Sequence, residues 1–173
     1  MAERANGVTM RGKPLTLVGN EVRVGEKAPD FELVDNGLGR VKLSAYAGKV
    51  VVIVSVPSLD TPVCDLETRR FNQEAGNLSD KVAVLAVSMD LPFAQKRWCG
   101  AAGVSHVTTL SDHLEASFGL AYGLLIKELR LLARAVIVID SSGKVSYSEL
   151  VKEIGDEPNY EAALKAVNKC VAG

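Results

Sequence analysis

The side chains best suited to chemistry lie in residues 57–64, Pro-Ser-Leu-Asp-Thr-Pro-Val-Cys. This segment follows the β-branched apolar run 50–56 and precedes helix-forming residues, so the pattern predicts a buried strand, a short turn and a helix. Pro57 ends the strand, because proline has no N–H to give to a sheet ladder. Pro62 suits the first turn of a helix, where the missing N–H is not needed. Cys64 is therefore predicted in the first turn of that helix.

The first turn of a helix favours a reactive cysteine. Its unpaired backbone N–H groups favour negative charge, and the thiolate, rather than the thiol, is the nucleophilic form. A helix terminus supplies roughly 0.3–2 kcal/mol, whereas keeping a free thiol mostly ionised at neutral pH needs roughly 3 kcal/mol. We therefore expect two further groups beside Cys64. They are the hydroxyl of Thr61, three residues earlier, and the cation of Arg134, which precedes the predicted strand 135–139.

Each of these residues also has an ordinary structural interpretation. Cys64 would be a small apolar filler, since free cysteines are among the most buried residues. Thr61 alone would be a helix cap, and Arg134 alone would be a solvated or salt-bridged arginine. The strand-to-helix context and the spacing favour a cysteine-based enzyme over a binding module.

The composition limits the other classes of function. The chain has 173 residues and a net charge of −1, which indicates a single domain over residues 1–173 and leaves no basic field for nucleic acid. Its apolar runs are much shorter than the roughly 20 residues that span a bilayer, so no membrane segment is expected. The polar N-terminus has no hydrophobic signal core, and we therefore expect a cytoplasmic protein.

The three cysteines and two histidines argue against a metal site and a structural disulfide framework. No Cys-x-x-Cys motif is present, so the chain has neither the local dithiol of a disulfide reductase nor a zinc knuckle. The histidines, His106 and His113, are isolated, and we expect no metal and no cofactor. In a reducing compartment, a cysteine pair is usually transient and catalytic.

The rest of the chain must position this segment, and its strands alternate with helices. The pattern predicts a hairpin at 8–18 and strands at 31–34, 41–43, 50–56, 82–87, 107–110, 135–139 and 145–150. It predicts helices at 61–78, 90–99, 114–118 and 160–168, and no defined element at 119–132. This order is typical of an α/β protein with a thioredoxin-like fold, in which helices flank a mixed central sheet and an N-terminal β-hairpin is added.

The motif Pro57-x-x-x-Thr61-x-x-Cys64 resembles the active-site signature of the peroxiredoxins. Further segments resemble one branch of that family, the bacterial thiol peroxidases, which are atypical 2-Cys peroxiredoxins. These segments are residues 9–14, 58–65, 69–72, 90–100, 132–136 and 157–164. The resemblance covers nearly the whole chain, in order.

The resemblance implies a role for each candidate residue. Cys64 would attack a peroxide and become sulfenic acid, and Cys99 would resolve it by forming an intramolecular disulfide. Thr61 and Arg134 would orient Cys64 and the peroxide, and Pro57 would shield the sulfenic acid from further oxidation. Hydrogen peroxide and organic hydroperoxides would be the substrates, thioredoxin would be the reductant, the protein would be a homodimer, and its role would be antioxidant defence. The resemblance assigns no role to the third cysteine, Cys170.

Cys64 and Cys99 are predicted on two different helices. A disulfide needs Cα atoms about 4.4–6.8 Å apart, and two packed helices seldom hold two accessible sulfurs that close. We therefore expect the first turn around Cys64, the helix that carries Cys99, or both to rearrange on oxidation.

Three alternatives remain open from the residues alone. The protein could be a one-cysteine peroxidase, in which Cys99 is a buried thiol beside Trp98. It could be a redox sensor that passes the oxidation of Cys64 to a partner protein. It could also be a structural binding module with a thioredoxin-like fold, although such a module gives no reason to keep Pro57, Thr61 and Arg134 with the cysteine.

Overall fold

The structure is a computed structural model that describes residues 1–172, and its elements alternate as the sequence predicts. In the described residues the strands are β1 (Glu3–Met10), β2 (Lys13–Val18), β3 (Glu32–Val34), β4 (Arg40–Lys42), β5 (Val50–Ser55), β6 (Val82–Ser88), β7 (Thr108–Ser111), β8 (Leu125–Ile126), β9 (Leu131–Leu132), β10 (Ala135–Ile139) and β11 (Val145–Leu150). The helices are α1 (Pro62–Ala75), α2 (Pro92–Ala102), α3 (Ser117–Ala121) and α4 (Tyr160–Ala172), and a 3-10 turn lies at Leu43–Tyr46.

A seven-stranded mixed sheet forms the centre of the molecule, with the strand order β11-β10-β5-β6-β7-β3-β4. Strands β5, β6 and β7 run parallel, and the other strands join antiparallel. Every residue of β5 is buried, as expected for a β-branched strand covered on both faces. The predicted mixed central sheet is confirmed, and β5 delivers the chain to the start of α1.

Helices α1, α2 and α4 cover one face of this sheet. Their buried side chains pack with alternate residues of β5 and β10. The other face is covered by α3 and by a second sheet with the strand order β1-β2-β8-β9. The predicted N-terminal hairpin is therefore confirmed as β1 and β2. No helix among residues 1–172 has both the length and the apolar character that a membrane-spanning segment needs.

The helix predicted at 114–118 is displaced toward the C-terminus and begins at Ser117. Ala116 has a left-handed backbone with φ 50°, which a non-glycine residue seldom adopts and which a helix interior excludes. The buried carboxylate of Asp112 accepts hydrogen bonds from two backbone N–H groups of α3, at 3.1 and 2.8 Å. Because Asp112 caps the N–H groups of residues 118 and 119, α3 starts later than the apolar pattern of the sequence indicates.

Other boundaries also differ from the prediction, and α1 and α2 end at Ala75 and Ala102 instead of at residues 78 and 99. Residues 119–132 contain the short strands β8 and β9, because Leu125 and Ile126 pair with β2 of the N-terminal hairpin. Helix α4 continues to Ala172, four residues beyond its predicted end at Asn168. None of these differences moves Cys64 from the first turn of α1.

Candidate active site

Cys64 lies in the first turn of α1, as predicted, and its side chain is fully buried. Thr61 precedes the helix with an extended backbone, and Pro62 is the first helical residue. The first turn of a helix has backbone N–H groups without helical partners, and they favour negative charge nearby. Because water does not reach this sulfur, its charge depends on the groups that pack around it.

Arg134 is the cation beside Cys64. Its Nη2 lies 3.2 Å from the Cys64 Sγ, and its side chain is only 2% exposed. The Nε and Nη2 atoms also donate to the backbone carbonyl of Ile154, at 3.1 and 2.8 Å, which fixes the guanidinium plane. Arg134 immediately precedes β10, whose first residue pairs with Ser55 at the end of β5. The fold therefore brings Arg134 and Cys64 together at one edge of the sheet.

Glu67 completes a buried cluster with Cys64 and Arg134. The Nη1 of Arg134 donates to the Glu67 Oε2, and the Glu67 side chain is fully buried. Its other oxygen, Oε1, has no hydrogen-bond partner among residues 1–172. Burial raises the pKa of Glu67 to about 7, because desolvation outweighs the opposing charge and hydrogen bond of Arg134. When Glu67 is ionised, it competes with the sulfur of Cys64 for the positive charge of Arg134.

The raised pKa of Glu67 predicts a dependence of stability on pH. Because the folded-state pKa of about 7 exceeds the unfolded value near 4.5, the folded chain holds this proton longer. Its contribution to the free energy of unfolding is complete below pH 4.5 and is lost as the pH rises toward 7. The loss amounts to about 3 kcal/mol.

The variant Glu67→Gln removes this titration, and urea unfolding of both proteins across that pH range measures it. We expect the stability of the variant relative to wild type to rise by about that amount between the low and the high end of the range. A constant difference between the two proteins at every pH would contradict the assignment. Other titrating groups are shared by the two proteins and cancel in the difference.

Pro57 and Thr61, both in the loop between β5 and α1, differ in their exposure to solvent. Pro57 is buried directly after the strand, and Thr61 is exposed. The Thr61 hydroxyl donates to the backbone carbonyl of Ser58 at 3.0 Å, instead of to the sulfur of Cys64 as expected. The local reason is that residues 58–61 close a tight turn, in which the Thr61 N–H also reaches the Ser58 carbonyl, at 3.2 Å.

Asp90 holds this loop in place, and its contribution was missed from the sequence. Its carboxylate accepts a hydrogen bond from the Ser58 hydroxyl at 2.7 Å and one from the Leu59 N–H at 2.8 Å. A third bond comes from the Ser88 hydroxyl at 2.7 Å. Asp90 lies between β6 and α2, so it connects the loop before Cys64 to the start of the helix that carries Cys99.

Cys99 lies on α2, as predicted, and is partly buried. Its Sγ is 3.3 Å from the Thr109 hydroxyl and 4.0 Å from the Asn36 amide nitrogen. The Thr109 hydroxyl donates to the Asn36 Oδ1 at 3.0 Å, so the thiol of Cys99 is left to donate to Thr109. All three cysteines are free thiols. Cys64 and Cys99 therefore occupy two separate sites, each with its own polar partners.

Helices α1 and α2 are joined by residues next to the two cysteines. The Trp98 Nε1 donates to the Asp65 Oδ1 at 2.7 Å. Arg69 pairs with the other Asp65 oxygen at 2.9 Å, and its guanidinium lies 5.9 Å from the centre of the Trp98 ring. Arg69 also donates to the carbonyl of Ala102, at the end of α2, at 3.3 Å.

The spacing of the sequence does indicate that Glu67 lies on the same buried face of α1 as Cys64. Glu67 follows Cys64 by three residues, and positions three apart lie on the same face of a helix. Phe71 continues that buried face. An acidic residue on a buried helix face needs a cationic or hydrogen-bonding partner, which points to Arg134. The pairing of Asp90 with residues in another loop has no comparable local pattern.

Comparisons with known proteins identify the family. A family model described as Redoxin matches residues 23–164. The thiol peroxidase of Oceanobacillus iheyensis is 55% identical over 164 residues, which cover 95% of this chain and 99% of that protein. The thiol peroxidase of Bacillus subtilis is 54% identical over 164 residues, with 95% and 98% covered. The crystal structure of a peroxiredoxin-like protein from Aquifex aeolicus has a TM-score of 0.89 at 44% identity, with 96% of this chain and 97% of that chain covered.

The mixed sheet and the buried thiol at the start of α1 define a peroxiredoxin type of thioredoxin-like fold. The chain belongs to the Redoxin family and, within it, to the thiol peroxidases. The predicted fold class and the family resemblance are thereby confirmed. The roles of the individual residues stay predictions.

Proposed function

We propose that the protein reduces hydrogen peroxide and organic hydroperoxides through the thiolate of Cys64, in antioxidant defence. The observation that carries this proposal is the position of the Arg134 Nη2, 3.2 Å from a fully buried sulfur in the first turn of a helix. The guanidinium and the helix N-terminus both favour negative charge on that sulfur. They also supply fixed donors for the oxygen atoms of a bound peroxide.

In the first step, the Cys64 thiolate attacks one peroxide oxygen. A sulfur–oxygen bond forms as the oxygen–oxygen bond breaks, so the sulfur loses two electrons and becomes sulfenic acid. The leaving hydroxide or alkoxide takes a proton from solvent and departs as water or alcohol. Arg134 would stabilise the negative charge that moves from sulfur to the leaving oxygen, as preorganised donors do in other active sites.

Thr61 and Pro57 would act in the same step from the loop before α1. Rotation about one side-chain bond would turn the Thr61 hydroxyl from the Ser58 carbonyl, 3.0 Å away, toward the peroxide. Thr61 is the exposed member of the loop and Pro57 the buried one, which suits an orienting role for the first and a shielding role for the second. The bond network of Asp90 would keep both in position.

In the second step, Cys99 would resolve the sulfenic acid. The Cys99 sulfur attacks the Cys64 sulfur, the sulfur–oxygen bond breaks, and the thiol proton leaves with the hydroxyl as water. The product is a Cys64–Cys99 disulfide, which prevents oxidation to the sulfinic acid. A dithiol reductant of the thioredoxin type would then return both thiols by exchange. The homodimer, the cytoplasmic location and the single domain stay predictions.

The variant Cys99→Ser separates the two-cysteine mechanism from the one-cysteine alternative. We expect it to consume one peroxide per chain and then stop, because no internal thiol can resolve the sulfenic acid. NADPH consumption coupled through thioredoxin reductase and thioredoxin should fall at least about 100-fold relative to wild type.

Cys170→Ser is the matched control for this experiment. Cys170 is a partly buried thiol on α4 whose Sγ contacts the Ser146 hydroxyl at 3.1 Å, so its replacement should leave turnover unchanged. Full thioredoxin-coupled turnover of Cys99→Ser would move the protein to the one-cysteine class. Slow turnover in wild type, with Cys64 trapped in mixed disulfides to a protein other than thioredoxin, would favour the redox-sensor alternative.

A further inference from the structure

The contact between α1 and α2 is built from the residues that adjoin the two reactive cysteines. Asp65 directly follows Cys64, and Trp98 directly precedes Cys99. The hydrogen bond of 2.7 Å between them therefore fixes the stretches of backbone that carry both thiols. Successive residues on a helix point about 100° apart, so the side chains that join the helices direct the neighbouring thiols elsewhere.

Each thiol is indeed held away from this contact. Cys64 lies against Arg134 at 3.2 Å, and Cys99 lies against Thr109 at 3.3 Å. For a disulfide to form, both sulfurs must leave these partners and meet between the helices. The Asp65–Trp98 hydrogen bond joins the two helices beside both cysteines in the reduced protein, and Trp98 is buried there, with 8% of its surface exposed.

We propose that Asp65 and Trp98 are positioning residues that hold α1 and α2 together in the reduced protein. The opening of their hydrogen bond then limits the rate at which Cys99 resolves Cys64. Arg69 strengthens this contact between the helices, because it pairs with Asp65 and also donates to the Ala102 carbonyl at the end of α2. The pair thus sets the time that Cys64 spends as sulfenic acid, and with it the sensitivity of the protein to further oxidation. The inference depends on the proposed Cys64–Cys99 disulfide.

The variant Trp98→Phe tests this inference, because it removes the indole N–H and keeps an aromatic ring in the core. A hydrogen bond to a charged group is strong enough that its loss should speed opening about tenfold. We expect disulfide formation after one equivalent of hydrogen peroxide, followed by quenched-flow mass spectrometry, to be about tenfold faster than in wild type. The peroxide concentration that converts half of Cys64 to sulfinic acid should rise by the same factor.

Asp65→Ala removes the other partner of the same hydrogen bond. We expect it to accelerate disulfide formation as well, and we expect Trp98→Phe to add nothing further in the Asp65→Ala background, since the two residues form one interaction. Asp65 is partly exposed, so this variant keeps the test decisive if Trp98→Phe does not fold. Phe93→Leu, an exposed aromatic on the same helix, is the control and should change neither rate.

The outcomes distinguish this inference from the proposed function. A wild-type protein that forms no Cys64–Cys99 disulfide would overturn the proposed function and the inference with it. A wild type that forms the disulfide, together with single variants that form it no faster, would overturn the inference alone. Additive effects in the double variant would also overturn it, because they would show two independent contributions to packing.

Discussion

Replacing Cys64 with serine should abolish peroxide reduction, with a fall in kcat/KM of about 10³ or more. Serine keeps the size of the side chain and can still accept a hydrogen bond from Arg134, 3.2 Å from the native sulfur. A hydroxyl does not ionise at neutral pH, however, and it is a poor nucleophile toward a peroxide oxygen. The coupled NADPH assay measures the loss, and circular dichroism checks that the fold is retained.

Cys170→Ser is again the control for Cys64→Ser. Both variants replace one thiol by a hydroxyl, but Cys170 lies on α4, in contact with Ser146, whereas Cys64 lies against Arg134. Wild-type activity in Cys64→Ser would place the reactive thiol elsewhere in the chain. Cys64 would then be an apolar filler, the interpretation that the residue type alone also allows.

Arg134→Met should lower both activity and stability. The loss of one preorganised donor at the reacting oxygen typically costs about 10²–10³ in rate. The same change leaves the buried carboxyl of Glu67 without its partner, and removing one member of a buried ion pair costs about 3–5 kcal/mol. Steady-state kinetics and urea unfolding measure the two losses separately.

The double variant Arg134→Met with Glu67→Gln separates the two losses. It removes the buried carboxyl that the single variant leaves without a partner, so we expect it to recover more than half of the lost stability and none of the lost rate. Glu67→Gln alone should keep most of the activity, because the guanidinium retains its bonds to the Ile154 carbonyl. If the double variant regained activity together with stability, the effect of Arg134 on rate would be structural, and its proposed role at the peroxide would be wrong.

The sequence predicts the parts of this site that depend on strong local patterns. The apolar run 50–56 and the two prolines place Cys64 in the first turn of α1. The apolar run 135–139 likewise places Arg134 directly before β10, whereas its approach to Cys64 depends on the pairing of β10 with β5 in the folded structure. Both predictions rest on elements whose residue types and periodicity agree with each other.

Other parts of the site depend on contacts between distant segments. Glu67 pairs with Arg134, which is 67 residues away in the chain. Asp90, which lies between β6 and α2, accepts hydrogen bonds from the loop between β5 and α1. The orientation of the Thr61 hydroxyl is set by a turn that the Ser58 carbonyl closes. The start of α3 is set by Asp112 in the same way. Periodicity contains no information on such side-chain bonds, so only the folded structure reveals them.

The most direct test of the account treats the fully reduced protein with one equivalent of hydrogen peroxide and then maps every cysteine by peptide mass spectrometry. The account predicts that the peroxide is consumed and that Cys64 and Cys99 are joined in one disulfide, while Cys170 remains a free thiol. Peroxide that persists beside three free thiols would contradict the central claim that Cys64 is the residue a peroxide oxidises.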